Sequence, residues 1–324
     1  MPKYNVRRIG SDDFDMLIPL MKDCFGMEVN IDYFEWKYVQ NPAGSFIGFV
    51  AIEAESNEVG GYYGVIPQKF LIHGIEKTVY QSCDTMTHSK HRRQGLFKML
   101  AQECYKFLKE NNELFVIGFG GAQSTPGFLK FGWKHVFDFK YYFKPAALCW
   151  LSFKGSFNEN DFSEHSLGEG NESFFTKNID NNNVILSNRS AAHIRWRTKN
   201  PNYDYKIVSF SEDNNNSGYV VYYVQNKKLI LFDFLFFSRT AEKALLWFLS
   251  KLVKENHFKG IISFCQENGK QARELCRNSF MSNPFNKGPL SEKTPFIFYA
   301  DDVVMDKYSS AEQWQITGYD HDAL

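Results

Sequence analysis

Apolar and polar positions along this chain follow two periods, and the order in which the periods succeed one another occurs twice. In the first half, residues 46–53 read as a strand, a polar turn ends in Gly60-Gly61, and a later strand carries Asp84. The period then lengthens. Leu96, Leu100, Cys104 and Phe107 fall on one face, which predicts an amphipathic helix over residues 95–109. An apolar strand at 114–119 and a short helix close the unit. The second half gives a strand at 203–210, a turn ending in Gly218, a strand carrying Asp233, a helix at 241–254, a strand at 260–264 and a short helix. Ahead of the two series stand Trp36-Lys37-Tyr38-Val39-Gln40-Asn41-Pro42 and Trp196-Arg197-Thr198-Lys199-Asn200-Pro201. The shared order predicts a duplicated unit of α/β (α+β) class, each copy a mixed sheet flanked by helices. Residues 153–183, rich in Gly, Ser, Asn, Asp and Glu, read as a linker, and 213–216 as a hairpin loop.

The length of 324 residues agrees with two domains at roughly 150 residues each. The expected division is 1–148 and 149–324. Lys plus Arg and Asp plus Glu are 37 each, so the net charge is zero, which counts against a nucleic-acid or anionic-membrane partner. Hydrophobic residues at 44% and charged residues at 23% exclude global disorder. No apolar signal core follows Met1-Pro2-Lys3-Tyr4, and the most apolar run, 229–237, is too short to span a bilayer and contains Asp233. Six cysteines form no Cys-x-x-Cys pair, so neither a zinc nor a redox motif is indicated. The expectation is a cytoplasmic protein with reduced thiols. The tail, Asp320-His321-Asp322, is a weak metal pattern and reads as an ordinary exposed terminus; no metal site is expected.

Chemistry concentrates in residues 81–97, Gln-Ser-Cys-Asp-Thr-Met-Thr-His-Ser-Lys-His-Arg-Arg-Gln-Gly-Leu-Phe. A strand runs into a basic turn with one glycine, and a helix begins at once. A helix N-terminus offers unpaired N–H groups and the positive end of the macrodipole, a ready site for phosphate. Gly95 allows close approach, and Arg92 and Arg93 add charge-assisted contacts. Arg92-Arg93-Gln94-Gly95-Leu96-Phe97 resembles the acyl-CoA-binding motif of the GCN5-related N-acetyltransferase (GNAT) superfamily, Arg/Gln-x-x-Gly-x-Gly/Ala. It departs from the motif at Phe97. Ser124-Thr125-Pro126-Gly127-Phe128-Leu129-Lys130-Phe131-Gly132-Trp133 is similar to the family's Ser-x-x-x-Tyr-x-Lys-x-Gly-Phe segment, with Ser124 reading as an N-cap.

The resemblance implies a tandem GNAT protein in which a catalytic first copy binds acetyl-CoA or another acyl-CoA. The second copy, which reads Ser238-Arg239-Thr240-Ala241 at the motif position, would be degenerate and shape the acceptor site. It implies direct attack of an amine on the thioester in a ternary complex. Ser82, Asp84 and Met86 alternate and so share one strand face. Asp84 is then the first choice of general base, with Ser82 orienting the amine and His88 the runner-up base. Backbone groups of Thr85, Met86 and Thr87 would meet the pantetheine arm, and N–H groups from Arg93, Gln94, Gly95, Leu96 and Phe97 the pyrophosphate. Gly120 and Gly121 would either allow close approach of the cofactor between the strands or simply form a loop. Phe128 stands where many members have the tyrosine that protonates the leaving thiolate, and phenylalanine cannot do so. Size and pattern resemble bacterial N-acyltransferases of surface-polysaccharide pathways, whose acceptor is the amino group of a nucleotide-linked amino sugar. The alternatives are an aminoacyl- or peptide-acceptor transferase and a non-catalytic CoA-binding sensor.

Overall fold

The computed structural model describes residues 2–121, 124–151, 157–165, 184–213, 215–285 and 287–322. The chain forms two compact units, each discontinuous in sequence. One comprises Met1–Val136, Asn181–Asn188 and Phe296–Ser310. The other comprises Phe137–Asp180, Arg189–Pro295 and Ala311–Leu324.

In the first unit, β1 (Tyr4–Arg8), β2 (Ile47–Glu53), β3 (Val59–Ile72) and β4 (Ile75–Thr87) pair antiparallel in sequence order. β5 (Phe115–Phe119) pairs parallel with β4, but only at Tyr80 with Val116 and Gln81 with Ile117. Beyond Gln81 the two strands part. Helices α1 (Leu17–Phe25), α2 (Ile31–Phe34), α3 (Leu96–Glu110) and α4 (Thr125–Lys130) complete the unit. Leu96, Leu100 and Cys104 of α3 are buried in one cluster with Val65, Tyr63 and Val116 of the sheet, as the spacing predicts, and the fourth buried position on that face is Leu108, with Phe107 only partly buried.

The second unit repeats this order. β9 (Lys206–Glu212), β10 (Asn215–Gln225) and β11 (Lys228–Phe236) pair antiparallel, and β12 (Gly260–Gln266) joins β11 in parallel only over Leu229 to Leu231. Its helices include α6 (Ala191–Thr198), which follows a short helix α5 (Ala146–Leu151), then α7 (Arg239–Glu255) and α8 (Lys270–Arg277). Gly61 and Gly218 occupy the same place in the two copies. A Cβ would stand 3.0 Å from the Met86 carbonyl oxygen at Gly61 and 2.8 Å from that of Leu235 at Gly218, so each glycine lets the neighbouring strand approach closely beneath the helix. The repeated Asn-Pro also has a local cause. Asn41 Oδ1 accepts from Ala43 N at 2.9 Å and Asn200 Oδ1 from Asn202 N at 3.0 Å, the same side-chain turn ending each Trp-bearing helix.

The sequence pattern misses the last strand of each copy. β6 (Lys134–Pro145), which follows α4, pairs antiparallel with β12 of the second unit. β14 (Lys293–Ala300), which follows α8, pairs with β5 of the first. The copies thus exchange their final strands. The first continuous stretch ends at Val136, so a single cut at 148 does not describe the units. Of the expected linker, residues 152–156 and 166–183 lie outside the described residues; within it Phe162–His165 is a strand, β7, paired with β9. β8 (Ile185–Ser187) pairs with β3, and β13 (Met281–Ser282) with β6.

Candidate active site

The turn before α3 is built for an anion. Arg93 and Gly95 both have left-handed backbone, φ 64° and 76°. Gly95 is the N-cap of α3, and no side chain caps the helix. Its first turn holds no acid and carries Lys98. The first N–H groups therefore face outward with the dipole's positive end behind them. They open onto a cavity of about 430 Å³ lined by Thr85, Thr87, Arg92, Arg93, Gly95, Leu96 and Phe97 from the expected set. That volume lies in the range of small-molecule sites. Cys24, Phe25, Lys98 and Phe131 line it as well, four residues the sequence motifs did not single out. Thr85 lies on the part of β4 released where β5 diverges, the geometry a cofactor arm needs to run beside a strand.

Other expected cofactor residues stand differently. Met86 is buried, and Gln94 is exposed and outside the cavity lining. Gly121 and Ser124 satisfy each other: Gly121 N donates to Ser124 Oγ at 3.2 Å, and the Gly121 carbonyl accepts from Thr125 N and Oγ1 at 3.0 and 2.8 Å. Ser124 occupies the N-cap position, yet its hydroxyl makes no cap bond. Phe128 is buried against Phe97 and Trp133, ring centroids 4.9 and 4.7 Å away, and belongs to the core. A Cβ at Gly120 would clash with Thr125 Oγ1 at 2.2 Å, so that glycine serves the turn.

The alternation assumed for Ser82, Asp84 and Met86 fails, because β4 carries a bulge. Cys83 pairs with Gly64 and Met86 with Tyr62, which leaves two residues of β4 opposite one of β3, and Asp84 takes φ 46°. The bulge turns Asp84 toward the segment after α2. Lys37 Nζ lies 2.8 Å from Asp84 Oδ2, and the Tyr38 hydroxyl donates to the same oxygen at 2.6 Å. Lys37 is 1% exposed and the Asp84 carboxylate 9%. The partner that holds the Asp84 carboxylate is thus a lysine. Ser82 meets Tyr63, whose ring packs beside Phe97 of α3, on the other side of the sheet. Ser82 and Asp84 therefore do not converge on one amine. Burial and the neighbouring Asp84 push the Tyr38 phenol well above its usual value, so Tyr38 stays a donor. The sequence signal was Lys37 itself, a cation within the apolar run Tyr33-Phe34-Glu35-Trp36-Lys37-Tyr38. A π-type turn over Glu35–Val39, closed by Gln40 N to Glu35 O at 2.9 Å, sets its direction.

His88, the runner-up base, caps the short turn Ser89–His91, its Nδ1 accepting from Lys90 N at 3.3 Å. Its Nε2 faces Glu58 and Asp23 at 3.8 and 3.9 Å, and it does not line the cavity.

In the second unit Asp233 is fully buried. It accepts from Arg189 Nε at 3.0 Å, Tyr219 at 2.9 Å and Thr317 at 2.8 Å. The tail is not an exposed terminus: Trp314, Ile316, Tyr319 and Asp320 are buried, and Asp320 Oδ2 joins Arg189 at 3.1 Å. Among the described residues no helix is long and apolar enough to cross a membrane.

Residues 5–136 match the family model of the acetyltransferase (GNAT) domain. The fold of the chain is similar to that of a probable N-acyltransferase of Enterococcus faecalis (12% identity, TM-score 0.72, 92% of this chain and 73% of that one). It is also similar to a GCN5-related N-acetyltransferase from Anabaena variabilis (12%, 0.71, 93% and 73%). A third neighbour is the N-myristoyltransferase of Saccharomyces cerevisiae with bound myristoyl-CoA (11%, 0.59, 93% and 79%). At these identities the likenesses show the fold. Among curated proteins there is no match. Residues 5–136 thus match an acetyltransferase (GNAT) domain, a match consistent with an acyl-CoA-dependent N-acyltransferase.

Proposed function

We propose that the protein moves an acetyl or other short acyl group from acyl-CoA to the amino group of a nucleotide-linked amino sugar. The observation that carries the acyl-CoA half is the uncapped, basic start of α3 opening onto the 430 Å³ cavity. There the N–H groups from Gly95 onward, with Arg92, Arg93 and Lys98, hold the diphosphate, and Thr85 and Thr87 border the pantetheine arm. The neutral amine attacks the thioester carbon. A C–N bond forms, the C–S bond breaks, and the amine gives up its proton. Phe128 has no proton to offer the departing sulfur, and a thiol of pKa near 8.5 leaves without an acid.

Asp84, ion-paired with Lys37 and bonded by Tyr38, is assigned a positioning role beside the point where β4 leaves β5, with water accepting the amine proton. The recurrence of a buried, cation-held carboxylate at Asp233, in the copy without the basic turn, supports this assignment. The acceptor half rests on the tandem pattern and on a cavity of about 370 Å³ within the second unit. Tyr141, Tyr223, Phe232 and Phe264 wall it, with Gln225, Asn226 and Lys228 also in its lining, a setting suited to a ring with polar edges. The sensor reading draws on Phe128 and on the engaged state of Asp84.

The test is thiol release from acetyl-CoA against a panel of nucleotide-linked amino sugars, with a control lacking acceptor. Acceptor-dependent release supports the proposal. Thermal stabilisation by acetyl-CoA with no release on any sugar, peptide or other amine would favour the sensor. In an acceptor assay, Asp84→Asn separates the roles of that residue: a base loses kcat with an altered pH profile, whereas a positioning residue loses stability and keeps the profile.

A further inference from the structure

Beside the cofactor cavity, and not part of its lining, one cluster of side chains has the composition of a metal site. His88 and His91 bracket a single 3-10 turn, in which residues three apart lie one above the other. Their ring centroids are 5.7 Å apart. Glu58, at the end of the hairpin joining β2 to β3, reaches both rings. Its Oε2 lies 3.4 Å from His91 Nε2 and its Oε1 3.8 Å from His88 Nε2. One ligand atom from each of the three residues falls within 4.8 Å of the others. Asp23 of α1 places Oδ1 3.9 Å from His88 Nε2.

These separations decide between two uses of the cluster. Charge-assisted hydrogen bonds close to roughly 2.7–2.9 Å. Ligands about 2.0–2.1 Å from a tetrahedral zinc ion stand ~3.3 Å from one another. The 3.4 Å between His91 and Glu58 is a long hydrogen bond for charged partners and lies near the second, and His88 stands farther from Glu58, at 3.8 Å. The ring directions agree. The His91 Nδ1 faces the Tyr4 hydroxyl at 3.0 Å, which leaves Nε2 for an ion and holds the ring from behind. Lys90 Nζ lies 2.9 Å from Glu58 Oε1, the oxygen measured against His88, so ligation falls to Oε2 beside His91, with the three ligand atoms within 4.8 Å of one another. Ligation through His88 Nε2 puts its proton on Nδ1 and gives up the long bond from Lys90 N.

We infer that Glu58, His88 and His91 form a site for a zinc-type divalent cation with water as the fourth ligand, since both Asp23 oxygens accept from Ser89 at 2.7 Å. Two imidazoles and a carboxylate suit late first-row divalent ions and not calcium or magnesium. The ion would clip the β2–β3 hairpin to the turn that leads into α3, and so brace the residues that precede Gly95. The inference stands whether or not the acceptor is a sugar.

The test uses the full chain, stripped with chelator and titrated with Zn2+ by calorimetry and with Co2+ by visible absorption. The expected result is one saturable site per chain, Co2+ bands of a four-coordinate nitrogen–oxygen site, and a raised Tm. Glu58→Gln and His88→Gln each weaken binding by about tenfold or more. Acetyl-CoA titration confirms that both variants are folded. No saturable Zn2+ binding, or binding unchanged in both variants, would overturn the inference.

Discussion

The two long helices that follow the Asp-bearing strands, α3 and α7, begin in opposite ways. α3 starts at Gly95 with left-handed backbone, no side-chain cap, Arg92 and Arg93 before it and Lys98 in its first turn. α7 starts at Ser238, whose hydroxyl accepts from Ala241 N at 2.9 Å and donates to Glu212 at 2.6 Å. Its first turn contains Glu242, held by Arg239, Arg277 and Asn278. A capped, acidic helix start has already satisfied its N–H groups and repels phosphate, while an uncapped, basic one leaves them for a ligand. Much else is shared: the glycine at the strand crossing, the parting strands and the buried carboxylate. The duplicated architecture is thus the scaffold, and a few residues at one helix terminus set the proposed cofactor site apart from its counterpart.

The largest effects should fall on what the copies share. Asp84→Asn leaves the buried Lys37 without its carboxylate and should lower unfolding free energy in urea by about 3–5 kcal/mol, and Asp233→Asn should cost less because Asp320 still pairs with Arg189. A loss near zero at Asp84 would mean that its carboxylate is free for chemistry. Next is the feature that differs. Gly95→Asp sets a carboxylate at the start of α3, on left-handed backbone that strains the substitution. Acetyl-CoA affinity should fall about 100-fold, equivalent to one or two charge-assisted hydrogen bonds. Ser238→Ala removes the cap of α7 at a cost of about 1 kcal/mol without changing that affinity.

A smaller effect is expected at Phe128. Phe128→Tyr brings a hydroxyl among Phe97 and Trp133 and should cost about 1–2 kcal/mol while leaving kcat unchanged; a rise in kcat would mean that the hydroxyl reaches the thiolate. The smallest concerns the acidic side of the comparison. Burial, with Glu242 adding to it, pushes the Glu274 carboxyl up from 4.5 to about 7. The folded state therefore binds the extra proton, and stability declines as pH rises from about 4.5 to about 7. Glu274→Gln should flatten that slope and raise Tm at pH 8 by about 2–4 °C, for a gain of about 1 kcal/mol.

The repeat was legible because its causes are local. Helix periodicity, the Asn-Pro turn and the crossing glycine each leave a mark within a few residues. The turn from Arg92 to Phe97 was legible for the same reason. The strand exchange was not, since β6 and β14 look alike as strands and only long-range pairing decides which sheet they enter. The bulge at Asp84 was also hidden. Period-two reading assumes unbroken pairing, and one extra residue turned the carboxylate toward Lys37. Lys37 was visible as a cation among aromatics, but its partner lies 47 residues away.

The central claim is that one helix start, and only that of α3, holds the cofactor. Calorimetric titration of the full chain with acetyl-CoA tests it most directly, beside Gly95→Asp and Ser238→Ala. The account predicts one site per chain, weakened about 100-fold on Gly95→Asp and unchanged on Ser238→Ala. Two sites per chain, or binding unchanged on Gly95→Asp, would contradict it.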